Sequence, residues 1–218
     1  MRQRFLHILF VLFSALGWVS GAAQNYYEDE RTFYGGVVVG PNFTQVDGDD
    51  FAGYHKIGLN VGGIVYTKMD ENLFVSLEIL YSQKGSKSNG AQELSSGYSI
   101  TNYSINLNYA EVPVMLNYFD NHKNHFGGGF SYSRLASYSE SITTYPATSV
   151  DLNQYPFKKG DLNILLNGSL HLWKGLFLNG RFQYSLISIR DKIPQNGLAK
   201  AAQYNNMWTF RLEYLFMK

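Results

Sequence analysis

Val75-Ser76-Leu77-Glu78-Ile79-Leu80-Tyr81-Ser82-Gln83-Lys84 is the stretch on which the fold turns. Val75, Leu77, Ile79 and Tyr81 alternate with Ser76, Glu78, Ser82 and Lys84. A strand turns successive side chains to opposite faces, so the segment has one apolar side and one polar side that carries charge. Period-two alternation of this kind marks a strand that sees two different environments.

The same period recurs outward along the chain. A first strand is expected from Phe33 to Gln45, with Val37, Val39 and Phe43 opposite Asn42 and Thr44. The second, Tyr54 to Lys68, places Ile57, Leu59, Val61 and Val65 opposite Lys56, Asn60 and Tyr66. The fourth, Tyr103 to Tyr118, sets Val112, Val114 and Leu116 against Glu111 and Asn117, while Ile105 and Leu107 fall on the wrong face. Pro113 has no N–H for a ladder, and a bulge is the expected accommodation. The fifth, His125 to Tyr138, is glycine-rich with Phe126, Phe130 and Tyr132 in phase. The sixth, Asp161 to Leu172, alternates Ile164, Leu166 and Leu170 with Asn163, Asn167 and Ser169. The seventh opposes Leu178, Phe182 and Tyr184 to Asn179, Arg181 and Gln183, and the last opposes Trp208, Phe210, Leu212, Tyr214 and Phe216 to Thr209, Arg211 and Glu213.

Eight strands is an even count, as single-chain bacterial membrane barrels require. The connections fall into two sets. Met69 to Asn72, Phe119 to Asn124 and Trp173 to Gly175 are short; Gly85 to Asn102, Ser139 to Gly160 and Arg190 to Gln203 are long and polar, and Val46 to Gly53 is intermediate. Short turns at one end and long loops at the other are the outer-membrane arrangement, with the turns periplasmic. Aromatics gather near both ends: Tyr34, Tyr66, Phe74, Tyr118, Phe126, Trp173, Phe177 and Phe216 by the turns, and Phe43, Tyr54, Tyr81, Tyr103, Tyr132, Tyr184 and Trp208 by the loops. Two belts at two interfaces are expected. The fold class is therefore all-β, an eight-stranded antiparallel up-and-down transmembrane β-barrel over 33–218 in the bacterial outer membrane.

Composition agrees. With 17 Tyr, 15 Phe and 21 Gly and a slightly negative mean hydropathy, the chain suits strands with a wet inside and a greasy outside. It has no cysteine, which removes disulfides, thiol catalysis and cysteine-based zinc sites. A net charge of +1 offers no basic field for nucleic acid. Arg2 and Arg4 precede an apolar run from Phe5 to Val19 and the small residues Ser20-Gly21-Ala22-Ala23, the grammar of an export signal. Residues 1–23 are expected to be a signal peptide, cleaved between Ala23 and Gln24, with 24–32 a short periplasmic segment.

If the apolar faces meet lipid, Glu78, Glu111, Arg181, Arg211 and Glu213 face the lumen, where an eight-stranded barrel leaves room only for side chains. Counted from the turns, Glu78, Arg181 and Arg211 stand about five residues in and Glu111 about seven, so one layer should hold them. Two arginines neutralise two or three carboxylates there by bidentate hydrogen bonds, a structural network. Paired carboxylates can divide acid and base work, but arginines hold these ionised and a filled lumen admits no substrate. His55, His122, His125 and His171 complete no metal set. Asp47-Gly48-Asp49-Asp50 has oxygen ligands but not the rest of a calcium loop. Neither catalytic residues nor a cofactor or metal site is expected.

Asn106-Leu107-Asn108-Tyr109-Ala110-Glu111-Val112-Pro113-Val114-Met115-Leu116 resembles the fourth-strand signature of the PorT-like outer-membrane β-barrel family: a tyrosine, then an acidic residue, then proline in an aliphatic run. Ser76 to Gly85 resembles its third strand, and Tyr184-Ser185-Leu186-Ile187 its penultimate one, although Ser188-Ile189-Arg190 replaces the asparagine often seen next. The resemblance implies an eight-stranded barrel inserted by the outer-membrane assembly machinery, which reads a terminal aromatic strand; Phe216 would serve. Some members assist type IX secretion, which gives an alternative role with an envelope or secretion-system partner. The leading expectation is a non-enzymatic barrel embedded in outer-membrane lipid, acting structurally or through surface contacts. Its candidate contact loop, Ser139 to Gly160, carries Tyr145, Tyr155 and Phe157.

Overall fold

A computed structural model describes residues 32–49, 51, 53–88, 90, 92–93, 99–145, 155–192 and 201–216. The export segment, the Ala23–Gln24 junction and Asp50 lie outside the described residues. The strands are β1 (Phe33–Asp47), β2 (Lys56–Lys68), β3 (Leu73–Lys87), β4 (Gln92–Glu93), β5 (Ser99–Phe119), β6 (His125–Tyr145), β7 (Gly160–Trp173), β8 (Leu176–Ser185) and β9 (Tyr204–Leu215). β4 is a two-residue strand in the β3–β5 loop, paired only with β5. The other eight form a continuous antiparallel sheet, β3-β2-β1-β9-β8-β7-β6-β5, and β3 pairs with β5 to close it. Closure leaves none of the eight as an edge, so every ladder has a partner in a medium that offers no hydrogen bonds.

The expected faces hold through the centre of the barrel. Leu77, Ile79, Val114, Leu116, Leu166 and Leu212 point outward, each 46–69% exposed, while Glu78, Asn117, Asn163 and Arg211 are buried. The turns at 69–72, 120–124 and 174–175 are as short as expected. At one of them Asp120 Oδ1 accepts from the backbone N–H groups of His122 and Asn124, each at 2.8 Å, and Oδ2 from the Asn124 side-chain amide at 3.0 Å. These hydrogen bonds, the Asn124 side chain first, hold the Asp120 carboxyl below its ordinary pKa.

Two expectations about β5 are corrected. Pro113 sits in no bulge: it stays paired with Ser131 of β6, and the β3–β5 ladder skips from Leu77↔Val114 to Leu80↔Glu111 without changing register. Pro41 interrupts the β1–β9 ladder in the same way, between Val39↔Leu212 and Asn42↔Thr209. Each proline forgoes one interstrand bond and leaves the register intact. The β5–β6 irregularities lie higher: the partners step from Asn108↔Ser137 to Tyr109↔Leu135, with Ala136 the extra residue, and from Ile100↔Thr144 to Asn102↔Thr143, with Thr101 the extra residue. Nor are Ile105 and Leu107 out of phase. Both are 0% exposed and face inward with Glu111 and Asn117. β5 and β6 have 21 residues each, where about 9–11 suffice to cross a membrane, so their upper halves stand in water and the polarity of the two faces reverses.

The lumen is consequently layered. Toward the turns it is plugged by Val38, Ile64, Tyr66, Leu80, Phe177 and Leu215. A polar layer crosses the middle. Above it a second apolar cluster includes Val46, Phe51, Tyr103, Ile105, Leu107 and Phe157. The aromatic belts are thinner than expected, because Tyr66, Phe177 and Tyr103 turn inward into these plugs. Tyr118, Phe126, Trp173 and Phe216 remain outside near the turns, as do Tyr81, Tyr132 and Trp208 near the loops.

Candidate functional site

Buried charge concentrates in the middle layer. Glu78 on β3 receives two guanidinium forks. Arg181 of β8 donates to its carboxylate at 3.1 and 2.5 Å, and Arg211 of β9 at 2.8 and 3.0 Å. Arg211 Nε also donates to Asn179 Oδ1 at 2.8 Å. A carboxylate between two planar forks is held in one orientation, and the two guanidiniums share its charge.

The sequence groups Glu111 with those arginines; the structure gives it a different cation. Glu111 Oε1 accepts from Ser131 Oγ at 2.6 Å and Gln183 Nε2 at 2.8 Å, while Oε2 lies 3.5 Å from Lys84 Nζ. Lys84 is completely buried. It bridges on to Asp161 Oδ2 at 3.3 Å, and donates to Ser133 at 3.2 Å and Asn163 at 3.3 Å. Asn205 completes that oxygen of Asp161 at 2.9 Å. The layer is thus two adjoining clusters, Glu78 with Arg181 and Arg211, and Lys84 with Glu111 and Asp161. Glu213 is 0% exposed, yet its oxygens accept no hydrogen bond from either arginine. Its expected pairing is corrected: both forks are spent on Glu78. Lys84 and Asp161 were missed as network members. Their signal was their place on the polar face of their strands; their meeting depended on register around a closed sheet.

A separate ion pair caps the mouth. Arg190 donates to both Glu140 oxygens, at 2.8 and 2.9 Å, and the pair is almost wholly buried. Tyr103 Oη donates to Glu140 at 3.1 Å, and the Arg190 guanidinium lies 4.3 Å over the Phe157 ring. Ile189 ties the segment down further, accepting from Lys158 N at 2.7 Å and donating to Gln203 O at 2.8 Å. Phe157, expected in a contact loop, is instead 5% exposed within the upper apolar cluster, and Tyr155 packs against it. They are anchors, because an aromatic ring above the membrane gains more by leaving water than by facing it. Tyr145 alone of the three is displayed, at 74% exposure.

Around the Asp47-Gly48-Asp49 corner, Asp47 is satisfied by amides, Gln45 at 2.7 Å and Asn206 at 3.1 Å. Among the described residues there is no group of three or more metal-ligating side chains of the His, Asp and Glu type placed to hold an ion.

The fold is similar to that of Ail, the attachment invasion locus protein of Yersinia pestis, at 11% identity and a TM-score of 0.43, covering 85% of this chain and 100% of that one. It is similar to neisserial surface protein A at 11% identity and a TM-score of 0.43, covering 86% and 99% of the two chains. For OprG of Pseudomonas aeruginosa the values are 12%, 0.37, 85% and 95%. No curated protein matches the sequence. The family model of the outer membrane protein beta-barrel domain matches residues 22–191. Closed antiparallel strands, an outward apolar band, a charged lumen and that match together make this chain a member of the outer membrane protein beta-barrel domain family, resident in the bacterial outer membrane.

Proposed function

We propose that the protein is a non-catalytic surface-contact barrel whose extracellular ribbon, rather than its lumen, meets the partner. One observation carries this: β5 and β6 continue as a paired ribbon beyond the hydrophobic band. There Asn106 bonds Ser139 at 3.2 Å and Asn108 bonds Ser137 at 3.0 Å on the outer face, and Tyr138 and Tyr145 stand exposed. A membrane anchor alone has no need of such a projection. The lumen below it supports no chemistry, since Glu78 and Glu111 are each bound to buried cations and share no open face. The test is a photo-crosslinking residue at position 145 in intact cells, with one at lipid-facing position 114 as control. Crosslinks to a macromolecule from 145 alone support the reading; equal labelling from both positions overturns it.

An accessory role in type IX secretion rests on the strand motifs alone. Its test is gene deletion: joint loss of many secreted proteins, restored by complementation, would establish it. Cleavage between Ala23 and Gln24 is likewise proposed, and N-terminal sequencing of the membrane-inserted protein checks it.

A further inference from the structure

On the lipid-facing surface, side chains are missing at one place midway along the apolar band. Gly168 of β7 pairs directly with Gly180 of β8, and the two open a groove of about 330 Å³ walled by Leu166, Phe182 and Trp208. One neighbour leans away from its floor and another borders it. Leu166 inclines over β6, where its Cδ2 lies 3.3 Å from the place of a Gly128 Cβ, and Phe210 lies over Gly180 at 3.7 Å. A Cβ added at Gly168 meets nothing within 4 Å. The upper end is closed by the Phe182 and Trp208 rings, whose centroids are 5.0 Å apart. Below, Leu170 and Leu178 form the next outward pair, and the strip continues through Leu172 to Trp173 at the periplasmic turn.

We propose that this groove is a binding site for one acyl chain of a periplasmic-leaflet phospholipid, whose phosphate is met by Lys174. Three features choose that occupant. The groove belongs to the face that lipid already covers, so hydrocarbon is the solvent that fills it. Aromatic rings stand at its upper end, and the lipid-facing residues below it, Leu170, Leu178 and Leu172, are aliphatic. A cation also stands at the right depth. Lys174 is exposed at the turn, its Nζ 4.5 Å over the Trp173 ring. From Gly168 to Lys174 the chain descends about 15 Å, at ~3.3 Å per residue and a tilt of ~40°, which is half of a ~30 Å hydrocarbon core. One leaflet's acyl chain therefore spans from the lysine to the glycine pair.

The experiment places the purified full-length barrel in nanodiscs of phosphatidylethanolamine and phosphatidylglycerol, transfers it to mild detergent, and counts retained lipid by native mass spectrometry. The wild type should keep one phospholipid. Gly168→Leu, whose Cβ meets nothing within 4 Å, should lower the lipid-bound fraction about tenfold, as expected for displacing roughly two buried methylenes. Gly63→Leu, at another lipid-facing glycine, should leave retention unchanged, and Lys174→Glu should weaken retention of phosphatidylglycerol most. Circular dichroism establishes that each variant is folded. Equal retention by wild type and Gly168→Leu, or none by the wild type, overturns the proposal. So does retention of lipopolysaccharide instead of phospholipid from mixed nanodiscs, or a dimer that Gly168→Leu abolishes.

Discussion

Two halves of one strand obey opposite rules. Below Ala110, β5 turns Val112, Val114 and Leu116 outward and Glu111 and Asn117 inward; above it, Asn106 and Asn108 face out while Ile105 and Leu107 face in. The alternation keeps one phase from Tyr103 to Tyr118, after a single break at Thr101 and Asn102. What changes is the medium on the outer side. Lipid rewards apolar side chains outside and leaves the charged ones to pair in the lumen, whereas water rewards the reverse. The boundary falls near Tyr81, Ala110 and Arg134, which are neighbours across three strands. Tyr81 Oη donates to Asn108 Oδ1 at 3.0 Å, an amphipathic ring at an interface. A register slip is therefore not needed to explain a reversed pattern. The membrane surface explains it.

The sharpest way to break this contrast is to attack the lower half from within. Glu78→Gln strands two buried guanidiniums and should cost about 3–5 kcal/mol in urea unfolding of the detergent-solubilised barrel. Arg181→Ala should cost less, since Arg211 still holds the carboxylate. An unchanged midpoint in both variants would mean that the layer is not a stabilising network.

The next test moves the attack outside. Val114→Arg sets a charge in the lipid band and should cost about 2–4 kcal/mol, whereas Asn106→Arg, above the boundary, should cost close to nothing. Equal costs would abolish the boundary. The upper lumen offers the converse experiment: Leu107→Ala removes a side chain from the apolar cluster and should cost about 2–3 kcal/mol, toward the low end for a core truncation because the loops beside it can settle inward.

The smallest effect is expected at the 120–124 turn. Asp120→Ala removes three hydrogen bonds in an exposed place and should lower the thermal midpoint slightly. Because the Asp120 carboxyl is held below its ordinary value, its contribution is complete above the free-aspartate pKa of ~3.9 and fades as pH falls through the depressed one. Wild type and variant should converge in acid; a difference that persists there would assign the effect to something other than the carboxylate.

Much of the architecture was legible because it is local. Val75 to Lys84 reports its two faces whatever it pairs with, and the Trp173–Gly175 turn separates β7 from β8 wherever they lie. The candidate site was legible in part. Glu78, Arg181 and Arg211 could be brought together by counting from the turns, since neighbouring short turns set a common level. Lys84 could not be matched to Glu111 and Asp161 in that way. It comes from farther up β3, and its partners are fixed by the closure of β3 onto β5 and by the staggered pairing through β6 to β7. Phe157 was misjudged for a related reason: hydropathy says that a ring wants cover, but not whether the cover is a partner or the chain itself.

By itself, the sequence determined the strand count of the barrel, its short turns, the lipid-facing stripe and the charged interior, because a period of two residues needs no knowledge of neighbours. Only the tertiary structure decided which charges meet, where the membrane ends along β5 and β6, and which aromatics plug the lumen rather than ring it. Those depend on register, stagger and the medium outside each strand. A side chain's pattern states its polarity, and its surroundings exist only once the sheet has closed.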